Sequence, residues 1–282
     1  RRAAVENPWL CTSGGGMMGL GFLKTATFQP PAPLGLREGI VADVAAKYGP
    51  VGDLAPLFAQ HRGEGVDKWH HYLPLYERYL GPWRGRPLRF LEIGVFKGGS
   101  LEMWRKYFGP EAVIYGIDID PTCARFDGRD GQVRIGSQDD RAFLGRVIDE
   151  MGGVDVVLDD GSHVMAHLRA TLAALFPRLS QGGTYIVEDL HTAYWPQYGG
   201  GTGPENFYST VRAMIDDMHH WYHDGAFAHP ATAGQVTGIH IHDSMVVLEK
   251  GTPYRPVRSI VGGNIDGADL AQTTSAEGKA SR

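Results

Sequence analysis

Two short polar runs carry the strongest chemical signal in this chain: Asp159-Asp160-Gly161-Ser162-His163 and Glu188-Asp189-Leu190-His191. Each follows an apolar run of strand character, Val154–Leu158 and Gly183–Val187. In a parallel sheet the ends of such strands lie side by side, which crowds the carboxylates of Asp159, Asp160, Glu188 and Asp189. Crowded carboxylates repel one another unless they are protonated or neutralised by a cation. Oxygen-only ligation favours Mg²⁺, Mn²⁺ or Ca²⁺ over zinc. An octahedral ion held by three protein oxygens keeps room for two substrate hydroxyls and a water, which suits a vicinal diol such as one on a sugar.

A neutral alcohol is a poor nucleophile. A bound metal lowers the pKa of a hydroxyl, and a nearby base that takes the proton contributes ~10²–10⁴-fold. His163 is the first choice of base, since it follows Asp160 by three positions. A lone histidine there more often caps a helix; beside two acidic strand ends the catalytic role leads. His191 is the second candidate. His219, His220, His223, His240 and His242 lack a ligand spacing and receive no role. Tyr194, Trp195 and Tyr198 could offer a platform to an apolar or sugar face or equally anchor their own loop.

Upstream, Glu92-Ile-Gly94-Val-Phe-Lys-Gly98 closes an earlier apolar run. This E-x-G-x-x-x-G pattern differs from the G-x-G-x-x-G that sets a helix N-terminus against a pyrophosphate. S-adenosylmethionine has no phosphates, but a sulfonium and an amino-acid head. Glycines let the backbone approach such a ligand, and an acid suits its ammonium. Asp118, ending the next strand, can accept hydrogen bonds from a ribose diol. Ser137, Gln138 and Asp139 follow the third strand and could edge the adenine. Ser100 and Asp159, on the same strand-end loops, complete the expected cofactor set with Glu92, Gly94, Gly98 and Asp118. Any one of these residues reads equally well as a loop or helix cap; acidic or polar residues ending several consecutive strands do not.

These positions need a scaffold. From Leu88 onward apolar strands alternate with amphipathic helices: strands at Leu88–Val95, Ala112–Ile117, Gln132–Ile135, Val154–Leu158 and Gly183–Val187, with helices after the first, third and fourth. Such alternation implies a parallel sheet covered on both faces, with ligands at the carboxyl ends of its strands. A helix is expected over about Asp67–Leu80, where Trp69, Tyr72, Leu73, Tyr76 and Leu80 recur at helical spacing and pack onto the domain. After a loop from His191 to Asn206, a helix is expected from about Glu205 to Tyr222. Val236–His242 and Met245–Glu249, separated by two residues, read as an antiparallel hairpin. The fold class expected is α/β: a Rossmann-like, mostly parallel seven-stranded sheet with one reversed strand. Residues 1–60 read as a Gly/Pro-rich arm and short helices, 61–250 as the cofactor domain, and 251–282 as a small, polar tail.

Composition agrees with this reading. The chain has 282 residues, 43% hydrophobic and 21% charged, with a net charge of −5 and no long basic run. Nucleic acid is therefore disfavoured as a partner. Two cysteines, Cys11 and Cys123, support neither a disulfide framework nor a zinc site. No apolar run approaches the ~20 residues that cross a bilayer, and no apolar segment follows Arg1-Arg2 as in an export signal. A cytoplasmic location is expected.

The stretches Asp67-Lys68-Trp69-His70-His71-Tyr72, Leu91-Glu92-Ile93-Gly94-Val95, Tyr115-Gly116-Ile117-Asp118, Asp159-Asp160-Gly161-Ser162-His163 and Glu188-Asp189-Leu190-His191-Thr192 resemble the metal-dependent deoxysugar O-methyltransferases of macrolide biosynthesis. The resemblance is closest to the mycinamicin 2''-O-methyltransferase type and covers roughly residues 60 to 250. It implies a class I methyltransferase fold, S-adenosyl-L-methionine and Mg²⁺ (or Mn²⁺) as cofactors, and a sugar hydroxyl of a glycosylated natural product as acceptor. Carried over, it makes Asp160, Glu188 and Asp189 the metal ligands and His163 the general base. Close members carry an additional N-terminal domain that builds a tetramer. This chain is too short to hold it, so residues 1–60 are expected to serve oligomerisation or act as a lid, within a homo-oligomer. Related sequences also carry a cephalosporin-hydroxylase label, so membership alone does not fix the acceptor.

Rival readings are distinguishable. A catechol-type phenol O-methyltransferase also places a metal at these strand ends, but a phenol needs less help from a base. A nicotinamide-dependent oxidoreductase would carry G-x-G-x-x-G and has no use for the acidic cluster. A non-catalytic nucleoside-binding module would not retain Asp160, His163, Glu188 and Asp189 together.

Overall fold

The computed structural model describes residues 39–259 and 261. The expected arm over residues 1–36 and the tail beyond 261 lie outside the described residues, and 251–259 form neither helix nor strand. Two short helices, α1 (Ile40–Tyr48) and α2 (Leu54–Gln60), precede α3 (Tyr72–Leu80). The α/β alternation follows: β1 (Arg89–Ile93), α4 (Gly99–Phe108), β2 (Val113–Asp118), β3 (Gln132–Ile135), α5 (Arg141–Met151), β4 (Val154–Asp159), α6 (Met165–Leu175) and β5 (Leu179–Val187). Helix α7 (Phe207–Met218) and strands β6 (Val236–His242) and β7 (Met245–Lys250) complete it.

The strands form one seven-stranded sheet in the order β3-β2-β1-β4-β5-β7-β6. Strands β1 to β5 pair in parallel, and β7 runs antiparallel to both β5 and β6, so it is the reversed strand. The central strands are mostly apolar because each face meets helices. Along β1, Phe90 packs into one core with Trp104, Phe108, Tyr72, Tyr76 and Ile186, whereas Leu91 and Ile93 pack into the other with Leu144, Leu168, Val157 and Phe207. Helices α1–α4 thus cover one face and α5–α7 the other, as the period-two alternation of strand side chains demands.

Two helices start later than the apolar spacing predicts, α3 at Tyr72 and α7 at Phe207. The helix expected from Asp67 begins at Tyr72, and residues 62–69 cross the ends of the strands without regular structure. Helix α7 starts where the Asn206 side chain accepts from the Tyr208 amide, and α5 starts where Asp140 accepts from Ala142 and Phe143; each satisfies otherwise unpaired amides of a first turn.

Candidate active site

All the polar runs converge at the carboxyl ends of β1, β2, β4 and β5 around a cavity of about 450 Å³. One end is lined by Gly94, Phe96, Ser100, Asp118, Ile119, Ser137 and Gln138, the other by Lys68, Trp69, Tyr72, Asp160, His163, Glu188 and Asp189.

At the first end backbone geometry does much of the work. Gly94 has φ 95°, and a Cβ there would stand 2.2 Å from the Asp160 carbonyl oxygen; only glycine lets the β1 and β4 loops approach so closely. Asp118 accepts from the Val95 and Phe96 amides through Oδ2 and from the Asp120 amide through Oδ1, each at 2.9 Å. It braces the glycine loop while lining the cavity. Gln138 ties two loops together: its amide donates to Asp159 Oδ1 and Thr171 Oγ1, and its Oε1 accepts from the Ser162 amide at 2.7 Å.

The remaining expected cofactor residues stand back from the cavity. Glu92 is fully buried and accepts from Ser100 Oγ at 2.7 Å and Trp104 Nε1 at 2.9 Å. Burial pushes its carboxyl up to about 7, against the opposing pull of Lys68. Gly98, at φ 78°, allows the loop to pack on the Phe126 ring. Asp139 accepts from Ser137 at the surface. Asp159 is fully buried beneath Gln138 and Tyr185, and burial raises its carboxyl to about 7.

The second end gathers the acids of β4 and β5. Asp160 Oδ1 and Asp189 Oδ2 lie 4.0 and 3.7 Å from His163 Nε2. Among the described residues, Asp160, His163 and Asp189 are the group whose ligand atoms come within 4.8 Å of one another. Both His163 and Asp189 adopt left-handed backbone, at φ 57° and 54°, a conformation that costs non-glycine residues free energy and concentrates at functional sites. His163 Nδ1 is buried with no hydrogen-bond partner. Glu188 sits deeper, 1% exposed.

Three residues outside the acidic runs hold these carboxylates. Lys68 Nζ donates to Asp160 Oδ2 and, at 3.1 Å, to Glu188 Oε2. The Tyr76 hydroxyl donates to Glu188 Oε1 and the Tyr72 hydroxyl to Asp189 Oδ1 at 2.8 Å. Burial alone would lower the lysine pKa, but Asp160 and Glu188 raise it well above the ordinary value. Glu188 is itself raised well above the carboxylate range, by burial and by Asp160. The helical spacing of Tyr72 and Tyr76 announced that their rings pack, as they do, but not that their hydroxyls reach the acids. Lys68 left no periodic signal; the need of a buried acidic trio for a counter-charge was the available clue.

The acid set fits a hard divalent cation. Asp160 and Asp189 each commit one oxygen to a donor and turn the other toward His163, and carboxylate oxygens are the ligands such ions prefer.

His191 has other partners: its Nδ1 lies 2.6 Å from Ser244 Oγ, its ring meets Trp69 at a tilt and Trp195 edge-on at 5.2 and 4.9 Å, and burial lowers its pKa. Trp195 in turn contacts Tyr198, while Tyr194 lies apart against Tyr208. His219, His220 and His223 pair with the carbonyls of Ile215, Asp217 and Asp216.

Residues 91–190 match a family model described as a methyltransferase domain. The chain is 39% identical over 215 residues to the 8-demethyl-8-(2-methoxy-alpha-L-rhamnosyl)-tetracenomycin-C 3'-O-methyltransferase of Streptomyces olivaceus, which covers 71% of this chain and 54% of that protein. It is 33% identical over 231 residues to the mycinamicin VI 2''-O-methyltransferase of Micromonospora griseorubida, covering 77% of this chain and 57% of that one. The chain therefore spans little more than half the length of these curated relatives. The solved structure of the MycE methyltransferase from the mycinamycin biosynthetic pathway, in complex with Mg and SAH, superimposes with a TM-score of 0.66 at 29% identity, over 79% of this chain and 61% of that one. Together with this chain's seven-stranded sheet and its one reversed strand, the match shows the class I methyltransferase fold.

Proposed function

We propose that this chain, a homologue of the deoxysugar O-methyltransferases built on a class I methyltransferase domain, moves the methyl group of S-adenosylmethionine to a sugar hydroxyl of a glycosylated natural product. The observation that carries this reading is the placement of His163 Nε2 within 4.0 Å of both Asp160 and Asp189 in the same cavity as Gly94 and Asp118.

Methyl transfer breaks the carbon–sulfur bond of the sulfonium and forms a carbon–oxygen bond, and the acceptor proton must leave. His163 takes that proton at Nε2, the ring atom that Asp160 and Asp189 face at 4.0 and 3.7 Å. Asp160, Glu188 and Asp189 would hold Mg²⁺ or Mn²⁺, which supplies a Lewis acid that acidifies the acceptor hydroxyl. Gly94, Ser100, Asp118, Ser137 and Gln138 line the cofactor end. Trp69, which lines the cavity and lies at a tilt against His191, offers the acceptor an apolar wall.

The relatives' acceptors, a tetracenomycin rhamnoside and a mycinamicin, support the glycoside class. A homo-oligomer in the cytoplasm is part of this reading on the family resemblance, and no helix among the described residues is long and apolar enough to cross a membrane. The deciding experiment incubates the protein with methyl-labelled cofactor and a panel of rhamnosylated polyketides, macrolide glycosides, free sugars and catechols. Label on a glycoside hydroxyl is expected; label on catechol alone would overturn the sugar assignment.

A further inference from the structure

Lys68 reaches the acid trio from residues 62–69, the segment that crosses the strand ends before α3, and only 2% of its side chain is exposed. An ammonium buried this deeply is costly unless its partners compensate, and here two carboxylates do. Lys68 takes Oδ2 of Asp160 and Oε2 of Glu188, and Tyr76 takes the other Glu188 oxygen. Both oxygens of Glu188 are therefore committed, whereas Asp160 and Asp189 each turn one oxygen to His163. With all three acids ionised, one lysine leaves two negative charges, the complement of one divalent ion.

We infer that Lys68 is a positioning residue that acts as the resident counter-cation of the trio and competes with a divalent ion for Asp160 and Glu188. The inference rests on the metal-dependent reading above. For Glu188 to join the ion's ligands, an oxygen already accepting from Lys68 or Tyr76 must also face the ion, and two cations sharing the same acids repel each other. The lysine keeps the cradle assembled when no ion is bound and holds the ion's affinity below that of three bare carboxylates.

The experiment measures Mn²⁺ binding to the full chain by electron paramagnetic resonance, without acceptor, and melting in EDTA and in Mn²⁺. Lys68→Met is expected to bind Mn²⁺ on the order of ten-fold tighter than the parent, through loss of like-charge repulsion, to melt lower in EDTA and to gain more from Mn²⁺. Lys68→Gln, which keeps a donor without the charge, gives the same tightening and serves if the Met variant does not fold; Lys68→Arg, which keeps the charge, gives none. Equal or weaker Mn²⁺ binding in the neutral variants overturns the competition even if melting falls, since a purely structural lysine would lower stability alone. If the parent and every variant fail to bind Mn²⁺, the metal-dependent reading falls and this inference with it. Binding by the neutral variants alone supports it.

Discussion

His163 and Asp189 sit at the ends of adjacent strands, β4 and β5, in the same left-handed backbone conformation, with His163 Nε2 3.7 Å from Asp189 Oδ2. Two strained turns point their side chains into one space, and that space adjoins the cavity expected to hold the cofactor. The pairing gives the proton acceptor a carboxylate partner without a hydrogen bond between them, so Nε2 stays available to a substrate.

Replacing the base separates chemistry from binding. His163→Ala is expected to lower kcat by ~10²–10⁴-fold while the affinity for S-adenosylhomocysteine, read by calorimetry, stays within about two-fold. A variant that turns over like the parent would transfer the base role to His191.

The backbone at that position makes a second, independent statement. His163→Gly is expected to unfold at higher denaturant than His163→Ala, by about 1 kcal/mol, because glycine adopts φ 57° without a Cβ clash. Equal midpoints would mean that the loop relaxes out of the left-handed region once the imidazole is gone.

Chelation tests the metal. Turnover is expected to vanish in EDTA and to return with Mg²⁺ or Mn²⁺, measured by methyl transfer to the accepted glycoside. Undiminished rates in EDTA would leave Lys68 as the sole cation of the trio.

Gly94 carries the close approach between the β1 and β4 loops. Gly94→Ala puts a methyl group 2.2 Å from the Asp160 carbonyl at φ 95° and is expected to cost about 3 kcal/mol or more, with cofactor binding lost alongside. Urea unfolding and a cofactor titration read both.

Glu92 gives a pH signature. Its folded-state value of about 7 lies above its ordinary 4.5, so the stability linked to its proton is complete below pH 4.5 and is lost as pH rises through 7. The span corresponds to on the order of 3 kcal/mol. Glu92→Gln cannot titrate, so the parent-minus-variant difference in unfolding free energy should fall across that window. A flat difference in urea titrations from pH 4.5 to 8 would contradict the burial argument.

Much of this was legible in the sequence. Strands β3 and β6 fall where the apolar runs end, Gln132–Ile135 and Val236–His242, and β7 is reversed as its two-residue hairpin required. The acids of the two polar runs meet as parallel neighbours must. What escaped was long-range pairing. Glu92 was read as facing a ligand because an acid ending a strand usually does; Ser100 and Trp104, eight and twelve positions on, turn it into a buried brace. Lys68 reaches Asp160 across 92 positions, a separation at which no local pattern survives.

Ser244, in the two-residue turn between β6 and β7, accepts the Tyr72 hydroxyl through its carbonyl and meets His191 through its Oγ. The cofactor half of the cavity is knit by bonds between nearby positions, such as Val95 to Asp118 across 23 residues, whereas Tyr72 and Ser244 are 172 apart. The acid-bearing end is thus closed by contacts of high sequence separation, which carry the larger loop-closure entropy. A truncation before that turn would remove, in one cut, the partner of Tyr72 and His191 and the reversed strand that joins β5 to β6.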